Sequence, residues 1–446
     1  MLATGELDAG AASANITPPL GVPMAGYAAR QGVARAVLDD LTAHALVLRV
    51  QNLSIALVSC DLLFVSESLA TSVRTQVFER TGIPAENVLL AATHTHAGPA
   101  YSAQPLCDAI ARAVVDVIAE AQHALQPARV AAGKGYVNAN LNRRKPLPDG
   151  TMGLAENPAG IADREVSLLR VDDLHGTPLA LVVNYAAHPV CLRPNNLAFS
   201  ADWVGAMRRT LASVTEGAPV LFLQGASGDL IPCERGDAWN AQRVGQRIAG
   251  EAIKIFATLQ TTPKLALSSS ASDPLHHIET LVAIDEPSRP TTLGIARTIV
   301  GLPLDPSLTS DTIEKWLAAQ SESASVFYRV WFEREQTFPA ELQAFQIGDA
   351  VLLAFPAEVF TAIGLAIKAH SNFPLTLFVS CANDDRVPYV PTADAFARGG
   401  YEVEQARNGW GMPAGLAVTA ADTMVERAIT LINLVWKSWQ GELRHG

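Results

Sequence analysis

The sequence has few cysteines and none of the close pairs that build a disulfide framework or a thiolate metal site. The five cysteines are an odd number, they lie at positions 60, 107, 191, 233 and 381, and no two of them form a CxxC motif. Scattered thiols are typical of a reducing compartment. The first residues, MLATGELDAG, have neither a basic start nor an apolar run. We therefore expect no signal peptide and a cytoplasmic location.

Basic residues are also scarce. Lysine and arginine number 33 against 44 aspartates and glutamates, which gives a formal net charge of −11. Nucleic acids and anionic membranes bind basic surfaces, so the sequence predicts no nucleic-acid partner. The most apolar long stretch, Ala350–Ala369, contains Pro356 and Glu358. We therefore expect no membrane span. The oligomeric state is not set by any of these features.

What the chain does have is enough apolar sequence for a large core. It has 446 residues, of which 49% are hydrophobic. Strand patterns over residues 41–65 are followed by a helix at Ser66–Thr81, a strand at Val88–Ala92 and a helix at Pro105–Leu125. This βαβα rhythm predicts an α/β fold, a layered mixed β-sheet core flanked by helices, in a single domain over residues 1–446.

Residues 262–340 have a different pattern. They show few strand signals but one long amphipathic helix, predicted over Asp311–Gln336. We interpret this part as a helical insertion, either a lid or a helix that only covers the sheet. A last helix is predicted over Val418–Trp439.

The most informative stretch is VLLAATHTHAGPA, residues 88–100. Five apolar residues predict a strand buried on both faces. Side chains two apart on an extended backbone share a face, so His94 and His96 can converge on one point. This pattern is typical of a metal site at a strand end, and equally of two satisfied core or surface histidines.

Four further apolar strands end in polar residues. Leu179–Val183 leads to His188, Val220–Leu223 to Ser227 and Asp229, Val351–Ala354 to Glu358, and Leu375–Val379 to Tyr389. In α/β folds reactive groups gather where strands end, so His94, His96, His188, Glu358 and Tyr389 are candidates for one site. Imidazoles with a carboxylate suit Zn²⁺ with an open position for water.

Several motifs in order carry a family resemblance: ITPPLGVPMAGY, ATHTHAGPA, LNRR, NYAAHPV, SADWVG, QGASGDLIP, FPAEVF and YVPTADAFARGGYE. With them the chain resembles the catalytic domain of the neutral, non-lysosomal ceramidase family. The resemblance implies a zinc-dependent hydrolase that cleaves an amide, in the best-known members the N-acyl bond of ceramide. It places the zinc ligands on His94, His188, Glu358 and Tyr389, with His96, Arg143 and Tyr401 lining the reaction centre.

The implied chemistry is metal-assisted hydrolysis. Zinc lowers the pKa of its water from 15.7 to about 7 and polarises the substrate carbonyl. We expect His96 to move the proton from water to the leaving nitrogen, and Tyr401 with the metal to stabilise the oxyanion. Arg143 is a permanent cation that holds a carboxylate or an oxyanion, or else forms an ordinary ion pair.

Three departures from the family bear on the substrate. Ile231 stands where ceramide-cleaving members carry the serine of Gly-Asp-Val-Ser-Pro, and the β-sandwich domain that follows in ceramidases is not expected here. The loop before Tyr389 is charged, and we predict that Asn383, Asp384 and Arg386 bind the substrate. The predicted substrate is a small polar amide or N-acyl compound. The alternatives are N-acyl sphingoid lipids and esters or lactones.

Two readings of another kind stay open. Gly225-Ala226-Ser227-Gly228 is similar to the start of a nucleophile elbow, but Asp229 replaces its last glycine. The other reading is a zinc-binding protein without catalysis, for which Ile231 is the supporting observation. Metal removal separates a serine hydrolase from a catalytic zinc protein, because only the zinc protein loses hydrolysis with its metal.

Overall fold

The computed structural model describes residues 1–101, 104–261, 265–269, 279–283, 290–408 and 411–443. Its strands are β1 Leu2–Gly5, β2 Leu7–Asn15, β3 Ala36–Val37, β4 Thr42–Val50, β5 Leu53–Cys60, β6 Val88–Ala92, β7 Gln126–Tyr136, β8 Asn140–Pro146, β9 Met152–Asn157, β10 Glu165–Asp173, β11 Pro178–Tyr185, β12 Ala198–Phe199, β13 Val220–Gln224, β14 Leu230–Pro232, β15 Leu265–Ser269, β16 Glu279–Ala283, β17 Thr291–Pro303, β18 Thr337–Ile347, β19 Ala350–Ala354, β20 Glu358–Val359, β21 Leu375–Val379 and β22 Tyr389–Val390. Its helices are α1 Glu67–Thr81, α2 Gln104–His123, α3 Trp203–Leu211, α4 Ala238–Thr258, α5 Ser310–Leu317, α6 Glu322–Glu335, α7 Thr361–His370, α8 Ala393–Arg398, α9 Tyr401–Asn408 and α10 Ala420–Leu443.

Two sheets stacked on each other form the centre of the molecule. The larger has the strand order β13-β11-β10-β7-β2-β4-β5-β6, and the smaller has the order β1-β17-β18-β19-β21. Apolar side chains of both sheets form one cluster between them, for example Leu48, Leu57, Phe345 and Leu352. Helices α1 to α4 cover the outer face of the larger sheet, and helices after residue 303 cover the smaller one. The layered α/β prediction is confirmed.

The continuous apolar runs reflect burial on both faces. Along β4, Leu46 and Leu48 point between the two sheets, whereas Ala45 and Val47 point toward the helices. Because neither face meets water, neither needs polar residues. The helices predicted at 66–81, 105–125 and 418–439 are found within a few residues of those bounds. None of the helices in the described ranges is both long enough and apolar enough to cross a membrane.

The ends of both sheets meet at one edge. Ala92, the last residue of β6, donates its N–H to the carbonyl of Cys381 in the loop after β21, at 3.1 Å. In the same loop, the N–H of Ser380 donates to the carbonyl of Gln224, the last residue of β13, at 2.8 Å. The polar residues that follow these strands are thereby brought to one place.

The segment 262–340 differs from its prediction. The single helix expected over 311–336 is two helices, α5 and α6, and Ser321 caps the second by accepting a hydrogen bond from the N–H of Ala324. The expectation of few strands is wrong for Thr291–Pro303, which pairs along its length with β18. That pairing joins residues tens of positions apart, so no local pattern reveals it. Residues 262–264, 270–278 and 284–289 lie outside the described residues, and the lid role stays a prediction.

Candidate metal centre and active site

Three histidines from two strand ends meet in the interior. His94 and His96 follow β6, and His188 follows β11. Their ring centroids lie 4.8 to 5.6 Å apart. One nitrogen of each ring lies within 4.8 Å of the others, so together they can hold a metal ion.

Two of these histidines are oriented by backbone carbonyls. His94 Nδ1 lies 2.8 Å from the carbonyl oxygen of Leu63, and His188 Nδ1 lies 2.8 Å from that of Leu230. A carbonyl oxygen only accepts, so each Nδ1 carries the hydrogen and each Nε2 is turned toward the centre. Glu358 Oε2 lies 2.8 Å from His188 Nε2 and 3.4 Å from His94 Nε2. These converging nitrogens and oxygen are donors that suit zinc.

The backbone directs these side chains. His94 adopts φ +68°, a left-handed conformation that costs free energy for a residue with a side chain and often marks a functional site. Its N–H donates to the carbonyl of Leu62 at 2.9 Å, which holds the turn. Glu358 and Tyr389 lie opposite each other in the parallel β20–β22 pair. This pairing brings the carboxylate and the phenol side by side.

Arg143 on β8 joins several of these groups. Its Nη2 donates to the Tyr389 hydroxyl at 3.2 Å and to the Gly228 carbonyl at 2.7 Å, and its Nη1 lies 3.2 Å from His188 Nε2. Its Nε donates to Glu402 at 2.8 Å. The guanidinium is therefore bound to protein groups rather than free for a substrate carboxylate.

Glu402 accepts hydrogen bonds from two successive arginines. Arg144 Nη1 donates to its second oxygen at 2.7 Å. Successive side chains of a regular strand face opposite sides, but the register of β8 shifts between Asn142 and Arg144. This irregularity lets Arg143 and Arg144 reach the same buried carboxylate.

A cavity of about 320 Å³ opens onto the histidines. Its wall includes His94, His96, Glu358, Tyr389 and Tyr401, so the predicted ligands on three different segments share one space. The remaining lining residues are Met24, Ala25, Gly26, Tyr27, Ala28, Leu63, Phe64, Asp385, Pro388 and Gln405. Arg143 and His188 are buried and are not part of this wall.

Part of this chain is similar to a known protein family. Residues 8–221 match the family described as neutral/alkaline non-lysosomal ceramidase, N-terminal. Neutral ceramidases A and B of Dictyostelium discoideum are both 29% identical in sequence, over 28% and 26% of this chain. Residues 8–221 are therefore similar to the neutral/alkaline non-lysosomal ceramidase family.

Solved structures share the fold of this chain. The neutral ceramidase from Pseudomonas aeruginosa superposes with a TM-score of 0.70 at 20% identity, over 97% of this chain and 75% of that one. A structure titled "Ceramidase complexed with C2" gives 0.69 at 19% identity, over 96% of this chain and 75% of that one. The matched part spans only about a fifth of the two curated relatives' length, at 20% and 18%.

The charged loop lies largely outside the cavity. Asn383, Asp384 and Arg386 line a second cavity of about 510 Å³. Asn383 binds the backbone N–H of Leu90 at 3.0 Å, and Arg386 forms an ion pair with Asp384. Their position does not support substrate binding at the histidines. Asp385, which lies between Asp384 and Arg386 in the sequence, lines the first cavity instead.

Ser227 and Ile231 also lie apart from the cavity wall. The buried Ser227 hydroxyl accepts a hydrogen bond from the Gln224 amide at 2.6 Å. Ile231 is buried in β14 opposite Leu141 of β8. The position of Ser227 therefore does not favour a role as nucleophile. Ile231, which stands where the ceramide-cleaving members carry a serine, packs as a core residue.

The electrostatics favour neutral imidazoles at His188 and His96 beside an ionised Glu358, whereas the nearby Cys381 and Glu358 raise the pKa of His94 well above its usual range despite its burial. Burial lowers the pKa of His188 to about 4, and the nearby Arg143 acts in the same direction. Burial, His94 and His188 together lower the pKa of His96 well below its usual range. Burial alone would raise the pKa of Glu358, but His94 and His188 hold it well below its usual range.

Sequence reasoning missed Tyr27 and Glu402, and it noted Asp385 only as one charge of the loop before Tyr389. Glu402 adjoins the predicted Tyr401, but no local sequence pattern connects it with the two arginines of LNRR. Only the structure shows that both arginines contact this carboxylate. Tyr27 lies in the Gly/Pro-rich segment near the start, where its ring centroid approaches that of His96 to 5.0 Å. Only the motif GYAAR and its aromatic residue offered a signal.

Proposed function

We propose that this chain is a zinc-dependent hydrolase that cleaves an amide, an N-acyl bond, with an activated water. The observation that carries the proposal is the convergence of His94 Nε2, His188 Nε2 and Glu358 Oε2 at the end of an open cavity. Tyr389 lines the same cavity and would complete the ligand set. When bound, zinc supplies an acidified water and polarises the substrate carbonyl.

The other residues have separate roles in this proposal. His96 faces the cavity without a carbonyl partner on its ring, so it is free to take a proton from water and give it to the leaving nitrogen. Tyr401, 45% exposed at the start of α9, donates its hydroxyl to the developing oxyanion. Arg143 orients Tyr389 and His188 rather than the substrate.

The family supports an N-acyl substrate, and the cavity favours a small polar one. A volume of about 320 Å³ is near the lower end for small-molecule sites, which run from roughly 300 to 1,000 Å³. Burial of a long alkyl chain against apolar groups contributes about 0.8 kcal/mol per methylene. Asp385 instead places a carboxylate in the cavity wall, which disfavours such a chain. N-acyl sphingoid lipids remain the second candidate, because the matched relatives are named neutral ceramidases.

The test is a screen of the zinc-loaded protein against short N-acyl amides, long-chain ceramide, lactones, esters and short peptides. We expect turnover of short amides that disappears on chelation and returns with zinc. Ser227→Ala should retain this turnover. Activity that survives chelation but not Ser227→Ala would contradict the proposal, as would bound zinc with no hydrolysis of any compound. Turnover of ceramide alone would refute the small substrate.

A further inference from the structure

The loop of residues 21–35 packs directly on His96. Gly26 has φ +103°, and a Cβ atom there would lie 2.7 Å from both Cα and Cβ of His96. That is closer than real Cβ contacts, so the backbone of this loop already touches the histidine. The ring of Tyr27 lies against the His96 ring, and its hydroxyl donates to the Leu192 carbonyl at 2.7 Å.

Arg30 ties this loop to His96. Its Nη2 donates to the His96 carbonyl at 2.7 Å, and its Nη1 donates to the Ala25 carbonyl at 2.5 Å. Its guanidinium carbon lies 4.9 Å from the centre of the Tyr27 ring. One side chain therefore contacts the backbone of His96, the backbone before Gly26, and the aromatic ring that packs on the imidazole.

His96 depends on this packing more than the other two histidines do. The Nδ1 atoms of His94 and His188 are each held by a carbonyl, whereas the buried Nδ1 of His96 has no hydrogen-bond partner among the described residues. Its Nε2 contacts His94 Nε2 at 3.4 Å. No carbonyl thus orients the ring of His96 from behind, and the loop of residues 21–35 supplies the contacts on that side.

We propose that Arg30 is a positioning residue for His96, acting through the His96 carbonyl and through Tyr27. This inference rests on the proposed function, in which His96 transfers protons. A planar guanidinium suits the task, because it donates to two carbonyls at once while its face lies on an aromatic ring. Lysine at this position could donate to either carbonyl but could not reproduce the planar bridge.

The test compares Arg30→Gln, Arg30→Lys and the control Arg35→Gln, which changes an exposed arginine of the same loop. Arg30→Gln should lower kcat by about tenfold or more with less change in KM, because a displaced catalytic group slows the chemical step. Arg30→Lys should recover part of the rate, and Arg35→Gln should match the parent. Zinc content should be the same in all of them.

A double-mutant cycle separates positioning from a general structural effect. If Arg30 acts through His96, Arg30→Gln should change kcat less than about twofold when His96 is already alanine. An equal fold-loss in both backgrounds, unchanged kcat in Arg30→Gln, or loss of zinc in that variant would overturn the proposal.

A measurement without substrate keeps the inference independent of the proposed reaction. Nitrogen-15 spectra of the histidine side chains, with His96 assigned from His96→Ala, should show a changed His96 signal in Arg30→Gln. The His96 signal in Arg35→Gln should be the same as in the parent. If the parent hydrolyses no compound, the proposed function fails, and these spectra still decide whether Arg30 positions His96. An unchanged His96 signal in Arg30→Gln would refute the positioning role.

Discussion

At the scale of single residues, the two carbonyl-anchored histidines carry the metal prediction. We expect His94→Ala and His188→Ala each to lose both bound zinc and activity, because each removes a neutral imidazole nitrogen from the ligand set. Zinc content by elemental analysis and turnover are the measurements. His370→Ala, which removes an exposed histidine of α7, is the matched control and should behave like the parent. Full zinc occupancy in both variants would rule out the assignment.

Glu358 and Tyr389 should differ in their effect on metal binding. Glu358→Gln replaces an anionic oxygen with a neutral amide, so we expect a clear loss of zinc affinity. Tyr389→Phe should weaken binding less, because burial and the nearby Glu358 raise the pKa of this phenol well above its usual range and disfavour the phenolate. Competition with a chelator measures both affinities. Parent-like affinity and turnover in Glu358→Gln would make that carboxylate structural.

His96 and Tyr401 should affect the reaction without affecting the metal. His96→Ala should lower the rate by roughly 10²–10⁴ and Tyr401→Phe by roughly 10²–10³, as expected for an acid/base group and an oxyanion donor. Rates are compared at equal zinc content. If either variant loses zinc as His94→Ala does, that residue is a ligand rather than a catalytic group.

At the scale of elements, the loop of residues 21–35 shapes the cavity through close backbone contact. Gly26→Ala places a Cβ against His96, whereas Gly21→Ala, also at positive φ, meets nothing within 4 Å. Both substitutions strain the backbone, at a cost of about 1–2 kcal/mol. Only Gly26→Ala should also lower turnover. Turnover is measured for both variants, and urea unfolding gives the stability of each. Equal turnover in the two would show that the contact with His96 is unimportant for the reaction.

At the scale of the whole molecule, a buried histidine links stability to pH. His44 lies on β4, with Ser13 Oγ at 2.6 Å from Nδ1 and Thr42 Oγ1 at 2.8 Å from Nε2. Burial, aided by Arg208, lowers its pKa from 6.5 to about 3. Between these values the unfolded chain binds a proton that the folded protein does not, so stability falls as the pH drops below about 6.5.

The size of this contribution can be measured. The contribution of His44 to the unfolding free energy should change by about 1.4 kcal/mol per pH unit well below pH 6.5. We expect His44→Gln to show a shallower loss of unfolding free energy between pH 7 and pH 5, measured by urea unfolding with a chelator present. Exposed His370→Gln serves as the control. Parallel curves for His44→Gln and the parent would show that His44 does not contribute.

The sequence alone determined the layers and the polar residues at the strand ends. Local features of the sequence include apolar runs such as Val88–Ala92 and the polar residues that follow them. These features predict buried strands with polar side chains at the strand ends. The order of the motifs carried the resemblance to the ceramidase family and predicted that His94, His96 and His188 belong to one site. These predictions succeed because strand burial and side-chain alternation depend on near neighbours along the chain.

Only the tertiary structure decided which atoms meet. The carbonyls of Leu63 and Leu230 select the nitrogen that each histidine presents, and Glu402 engages Arg143 so that it is not free for substrate. The structure also placed Asp384 and Arg386 in a different cavity from Asp385. The pairing of β17 with β18 likewise joins distant residues. Each of these depends on contacts between segments far apart in the chain, whose geometry no local sequence pattern contains.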